Sequence, residues 1–401
     1  MRIPIPYKRA QRLLSPSNFS FNFGLTIHFA GRIDPHAVEI ALAKVCRLHP
    51  ILGSRVELEG DDKGILTNDE TPTPSLIVVP RYTDDSWLAH FQQFLAQQFD
   101  YRRGPLVHSV LVQGDDASEL ILILDHSTAD GRAGQLAARG LVRFMAEPAL
   151  ERSPIVPLGL REAVTDEVER LVVQREAEAV KSGPDKPWSP NFADTPQLIT
   201  PFSLSANETA TLVQRCRSEG VTVQAALCAA FLQPFADRDP DHPQRVAEVP
   251  VDLRPFLRPP AADWYANYLS LVLITADCSG NDLWETARRA AAQLKSITPD
   301  ELFFSIPAVW NLSEKLAPQN AIDTPYDISI SNLGRWDAAE VPGKWKVISV
   351  HAPTFNVVSK NHYVWGLNTC NGVLTATFTS CESNSVALGR ESWQKLKSMV
   401  E

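Results

Sequence analysis

The sequence predicts an α/β protein made of two related sandwich domains, and three observations lead there. Its 401 residues exceed what one ordinary core fills, because single cores stop growing at about 250 to 300 residues. Both halves run through strand, helix, strand, helix and then late antiparallel-looking strands, although no literal repeat is visible. Between Pro148 and Pro201 a charged helical stretch dissolves into Pro, Gly, Ser and Asp, as an inter-domain connection does. The expected division is a first domain at 1–183, a linker at 184–196 and a second domain at 197–401.

Element by element, "SFNFGLTIHFAG" alternates apolar and polar residues and reads as a strand. A helix follows: Asp34 is its N-cap, Pro35 suits the first helical position, and Val38, Ala41, Leu42, Val45 and Leu48 recur at helical spacing until Pro50. After "ILGSRVEL" and "SLIVVPRY" come the helix "DSWLAHFQQFLAQQFD" and two strands, "PLVHSVLVQ" and "ELILILDH", joined by the polar turn "GDDAS". The second of these is a central strand, and "GQLAARGLVRFMAEP" continues from it as a helix. The second half restarts with two helices broken at Gly220, the later one capped by Thr222. Strand-like "RVAEVPVDLRPFL" and "NYLSLVLITAD" lead to a helix, then to "YDISISNLG", "WKVISVHA" and "NVVSKNHYVWGLNTCNGVLTATFTS", and a helix closes the chain.

Composition removes several function classes. Hydrophobic content of 44% and charged content of 21% fit a soluble globular protein. The net charge is −9 and no Lys/Arg run is long enough to track phosphates, so nucleic acid is not an expected partner. The amino terminus carries scattered charges and prolines where a signal peptide has an apolar run, and no stretch approaches the roughly 20 apolar residues of a membrane span. Six cysteines lie far apart without a C-x-x-C pair, which suits a reduced, cytoplasmic chain whose cysteines are small buried hydrophobes. Phosphate-cradling glycine loops and the G-x-S-x-G elbow are both missing.

Chemistry concentrates in "ELILILDHSTADGRAG", residues 119–134. A buried strand carries His126 to its end, where a neutral imidazole facing a cleft takes a proton from a hydroxyl or amine. A lone histidine on an apolar strand is more often a satisfied core residue, but the small polar residues and D-G that follow favour the cleft. Asp130, past the turn, organises the loop by pairing with an arginine rather than serving as a second base. Gly131 is expected to permit backbone geometry that a Cβ forbids and to aim its amide at a developing oxyanion. His49 ends a helix and reads as structural. His108, His351 and His362 lie on separate strands without Cys or Glu at ligand spacing, so no metal is expected.

"HSTADGRAG" resembles the H-x-x-x-D-G signature of the acyltransferase superfamily that includes chloramphenicol acetyltransferase, the plant BAHD enzymes, condensation domains of nonribosomal peptide synthetases, and bacterial polyketide-associated and alcohol O-acyltransferases. "ALAKVCRLHPILGSRVE", "FDYRRGPLVHSVLV", "GVTVQAALCAAFL" and "VPVDLRPFL" add to the resemblance, which covers about residues 25–385. It implies two chloramphenicol-acetyltransferase-like lobes forming a V with a central tunnel, and His126 as the base that deprotonates an acceptor for attack on a thioester. The donor is an acyl thioester of coenzyme A or of an acyl carrier protein, and the acceptor a small alcohol or amine. No cofactor is bound, and the chain works as a monomer.

In this resemblance Arg254, in "VDLRP", is the partner of Asp130; an ordinary solvated surface charge is the plainer reading. "SISNLGRW" occupies the place of the plant D-F-G-W-G motif and shares only Gly334 and the apolar residue before it. Ser331, Asn332 and Gly334 either line the tunnel, supply an oxyanion donor, or form a plain turn after a strand. Asp125 stands where many condensation domains carry a first histidine; it is a candidate for the tunnel, and its presence weakens assignment to the peptide-forming subgroup. Ester formation is therefore the leading expectation. Condensation-type amide formation is the alternative, and a carrier-docking scaffold or a relative recruited to cyclisation is a third.

Overall fold

In the computed structural model the aliphatic run before His126 becomes the middle of a sheet, buried on both faces. The structure describes residues 1–5, 7–14, 22–60, 63–69, 73–166, 168, 170, 197–259, 261–280, 282–304, 326–341, 344–351 and 363–401. His362 and the expected linker 184–196 lie outside the described residues. Along the chain come β1 (Arg2–Ile5), α1 (Tyr7–Leu14), β2 (Asn22–Ala30), α2 (Pro35–Leu48), β3 (Arg55–Glu59), β4 (Lys63–Thr67), β5 (Leu76–Pro80), α3 (Ser86–Leu95), β6 (Val107–Gln113), β7 (Ala117–Asp125), α4 (Gly131–Ala146) and α5 (Leu160–Ala163). The second half holds β8 (Leu198–Leu204), α6 (Ala206–Ser218), α7 (Val223–Arg238), β9 (Gln244–Asp252), β10 (Leu269–Asp277), α8 (Leu283–Ser296), α9 (Pro299–Phe304), β11 (Ile328–Trp336), β12 (Glu340–Val341), β13 (Trp345–His351), β14 (Val364–Cys370), β15 (Val373–Ser380) and α10 (Ser385–Ser398).

The local signals explain where the helices start. Asp34 accepts from His36 N at 3.1 Å, and Thr222 Oγ1 accepts from Ala225 N at 3.2 Å; each satisfies an amide that the first helical turn leaves without a partner. Two six-stranded mixed sheets dominate, ordered β12-β13-β2-β7-β6-β5 and β10-β9-β11-β14-β15-β8. One apolar core gathers on the first sheet and a second on the other, where Ala247, Val249, Ile328, Ile330, Trp365 and Phe378 meet α7 and α10. The chain is thus a two-lobed α/β protein, with the motif strand β7 between β2 and β6.

One exchange was invisible in the sequence. β13, from the second half, leaves its neighbours and pairs antiparallel with β2 of the first sheet. The seam is pinned by His351 Nδ1 and His28 Nε2, 2.8 Å apart, with Trp87 edge-on to His28 and Arg81 Nε donating to Glu119 at 2.8 Å on the adjacent strand. A proton fits between the two rings only if one nitrogen accepts. Burial, then the neighbouring ring, hold His28 well below the ordinary imidazole value, and burial takes His351 down to about 4. Between pH about 6.5 and 4 the unfolded chain therefore binds protons that the folded chain refuses, and stability falls with pH. A His351→Asn variant should show a shallower loss of melting temperature between pH 7 and pH 5 than the wild type. Equal slopes in thermal unfolding would separate the pair from the pH response.

Candidate active site

Between β7 and α4 the chain turns tightly, with Thr128 N and Ala129 N both bonding back to Asp125 O. That turn brings Ala129 O to 2.9 Å from His126 Nδ1. A carbonyl only accepts, so Nδ1 carries the proton and the neutral ring keeps its basic lone pair on Nε2. Burial holds this imidazole below its ordinary value, with Asp130 the main influence in the other direction. The Phe23 ring lies 4.9 Å from it. From the second lobe, Asn267 Nδ2 donates to His126 O at 2.8 Å, so the backbone of the motif is held from across the lobes.

Asp130 does three things at once. As N-cap of α4 it accepts from Ala133 N at 2.8 Å. It takes both Arg254 Nη1, at 2.9 Å, and Nη2, at 3.1 Å, and it accepts from Tyr268 N at 2.7 Å. Four donors thus meet one carboxylate, with Arg254 2% exposed. The guanidinium's remaining donors go to Trp264 O, Asp252 and Ala266 O. The pairing implied by the resemblance is present, and the solvated-surface reading of Arg254 is wrong. A fully satisfied fork at this seam fixes how the lobes meet.

A cavity of about 490 Å³ opens between the lobes. His126, Asp130, Gly131 and Arg132 form its wall on one side; Pro250, Asp252, Arg254, Leu269, Ser331 and Asn332 are among the residues on the other. The start of α4 therefore meets the cavity beside the imidazole, and its first amides have no acceptor within the helix ladder. Among the described residues no cluster of three His, Cys, Asp or Glu is placed to hold a metal ion.

Three sequence expectations need correction. Asp125 does not line the cavity; it is fully buried, and its Oδ2 accepts from Tyr101 OH at 2.7 Å. Neighbours on a strand point to opposite sides, so one residue before His126 faces away from it. Burial pushes the Asp125 carboxyl up to about 6. Gly131 borders the cavity but is not among the glycines with positive φ; it is the first residue of α4, so a left-handed backbone is not what calls for glycine there. Gly334 does have φ +74°, with open space where a Cβ would stand. It sits at the break in register between Asn332 and Arg335 and is absent from the cavity wall, whereas Ser331 and Asn332 line it. The turn reading holds for Gly334 and the lining reading for Ser331 and Asn332.

His49 and His108 pack against aromatic rings inside the first lobe and its seam. His49 lies 5.5 Å from the Tyr265 ring, and His108 stacks on Phe99 at 4.3 Å; burial lowers both to about 4. Sequence reasoning missed Asn267, Tyr268, Arg132 and Gln135. Only Gln135 left a signal: a polar residue at a buried position of α4, between Gly134 and Leu136.

A family model described as the C-terminus of phthiocerol/phthiodiolone dimycocerosyl transferase matches residues 197–363. The phthiocerol/phthiodiolone dimycocerosyl transferase of Mycobacterium leprae is 26% identical over 260 residues, 59% of this chain and 60% of that one. The chain thus spans less than two thirds of the length of the first curated relatives that it matches. Among solved structures, polyketide synthase associated protein 5 from Mycobacterium tuberculosis aligns with a TM-score of 0.68 at 19% identity, covering 99% of this chain and 97% of its own. The trichothecene 15-O-acetyltransferase TRI3 from Fusarium sporotrichioides aligns with a TM-score of 0.71 at 12% identity, covering 99% and 95%. These likenesses show a shared two-lobed fold.

Proposed function

We propose that this chain, a member of the condensation-domain and chloramphenicol-acetyltransferase-like acyltransferase superfamily, moves an acyl group from a thioester to a hydroxyl with His126 as general base. The observation that carries this is a neutral imidazole, its Nδ1 proton given to Ala129 O, on the wall of a cavity shared by both lobes. Nε2 removes the proton from the acceptor hydroxyl as its oxygen attacks the thioester carbonyl carbon. The tetrahedral oxyanion then expels the thiolate, which takes the proton back from the imidazolium, leaving ester and free thiol. The first amides of α4, with Ser331 or Asn332, stabilise the oxyanion.

The donor is acyl-coenzyme A or an acyl carrier protein thioester, a co-substrate rather than a bound cofactor, and the acceptor a small alcohol of lipid or natural-product metabolism. The relatives named as transferases support this reading. The protein acts as a monomer in the cytoplasm; Cys46, Cys216, Cys228, Cys278 and Cys370 carry unbridged thiols, and no described helix is long and apolar enough to cross a membrane.

The test offers the protein a panel of acyl-coenzyme A and acyl-carrier thioesters with matched alcohols and amines, read by mass spectrometry. Ester is expected to form from the alcohols faster than amide from the matched amines. Amide alone would make it a condensation enzyme, and no acyl product from any pair would leave a docking scaffold.

A further inference from the structure

The residue directly after D-G is an arginine, and the general-base scheme gives it no task. Arg132 lines the cavity with His126 and is half-buried, yet among the described residues no carboxylate comes within ion-pair distance of it. The acids beside it are already engaged. Asp130 is saturated by Arg254, Ala133 N and Tyr268 N, and Asp252 accepts from Arg254 Nη1 at 2.8 Å and Arg254 N at 3.0 Å. Arg132 feels Asp252 and Asp130 through space but pairs directly with neither, so its outward N–H groups are left to face a partly desolvated cavity, where a bound anion satisfies them.

The arginine is also aimed. Its Nη1 donates to Gln135 Oε1 one turn on. Gln135 is fully buried, and its Nε2 donates at 3.1 Å to Asn368 Oδ1 of the second lobe. That oxygen also accepts from Trp336 Nε1 at 3.0 Å, while Asn368 Nδ2 donates to Val350 O at 3.3 Å. Three side chains, Gln135 of α4, Trp336 of β11 and Asn368 of β14, thus hold one edge of the guanidinium in place. Its other donors remain for a ligand, and a planar fork of N–H groups matches a carboxylate bidentately.

We infer that Arg132 selects substrates bearing a carboxylate, carried on the acyl chain or on the alcohol, and binds that group in the cavity while His126 acts on the hydroxyl. The inference rests on the acyl-transfer reading of this cavity. The phosphates of coenzyme A and of a carrier's phosphopantetheine lie at the far end of the pantetheine arm from the sulfur. An anion bound next to the imidazole therefore belongs to one of the two reacting groups.

Two arms find the source. Turnover of succinyl- against succinamoyl-coenzyme A tests the acyl side, and 3-hydroxybutyrate against 3-hydroxybutyramide tests the acceptor side. A charged hydrogen-bonded pair should favour the acid over its amide by about tenfold to hundredfold in kcat/KM on one arm. In Arg132→Gln that ratio should collapse toward one, and Arg132→Lys, which keeps the charge without the fork, should restore part of it.

Binding of succinate, 3-hydroxybutyrate and their amides, measured by calorimetry on wild type and Arg132→Gln, decides the matter without turnover. Tighter binding of one acid that Arg132→Gln abolishes supports the inference. Equal binding of acid and amide, no binding of either acid, or a preference that survives Arg132→Gln overturns it. Amides and neutral esters turned over as well as acids would refute the role of Arg132 and leave acyl transfer standing. Acid-selective binding with no acyl product from any pair would do the reverse.

Discussion

His126→Ala should lower kcat/KM by about 10² to 10⁴-fold, the usual contribution of a positioned general base, while the protein keeps its fold. The ring sits on a cavity wall, so its loss enlarges an existing space instead of opening a void in a packed core. The turn that carries it is held by backbone bonds to Asp125 O and by Asn267, neither of which needs the imidazole. The pH profile gives an independent reading. Only the neutral ring can accept a proton, and burial keeps it neutral to lower pH than an exposed imidazole, whose ordinary value is about 6.5. The acid limb of kcat/KM in the wild type should therefore fall below pH 6.5, and His126→Ala should lack it. Turnover within a few-fold of wild type, at an unchanged melting temperature, would end the general-base role.

What the sequence disclosed follows from how local each signal is. The aliphatic strand and the helix after the motif are set by neighbours within a few residues, and both are present, the helix starting at Gly131 where the pattern had begun it at Gly134. The caps at Asp34 and Thr222 stand where the pattern placed them. The Asp130–Arg254 fork spans 124 positions and was legible only because both residues matched a resemblance. Asn267 and Asn368 act across the lobes with nothing nearby in sequence to mark them, and β13 joins the first sheet because of packing that no periodicity encodes. Asp125 went astray for another reason: it was placed in the tunnel because it stands where many condensation domains carry a first histidine, whereas neighbours along a strand face opposite sides. Arg132 was passed over because a charge after a turn reads as solvated, until the structure showed a cavity in front of it and a buried glutamine behind.

Asp130→Asn should cost roughly 3 to 5 kcal/mol, the usual penalty for breaking a buried ion pair, and lower the melting temperature by on the order of 10 °C for domains of this size. The substitution isolates charge from capping, because asparagine caps a helix about as well as aspartate and can still accept from Ala133 N. It cannot do the rest. The carboxylate takes four hydrogen bonds, whereas the amide offers one oxygen and turns an NH₂ toward the donors of Arg254 or Tyr268 N. Arg254 would then keep its charge, 2% exposed, with Asp252 its one remaining carboxylate. Activity should fall too, since the same fork holds the start of α4, and with it the amides beside His126, against the second lobe. Arg254→Met in the Asp130→Asn background removes the stranded cation, so the double variant should lose less stability than the two single losses added together. If the losses simply add, or if Asp130→Asn melts with the wild type, the fork is not what joins the lobes, and the alignment of His126 must come from Asn267 and Gln135 instead.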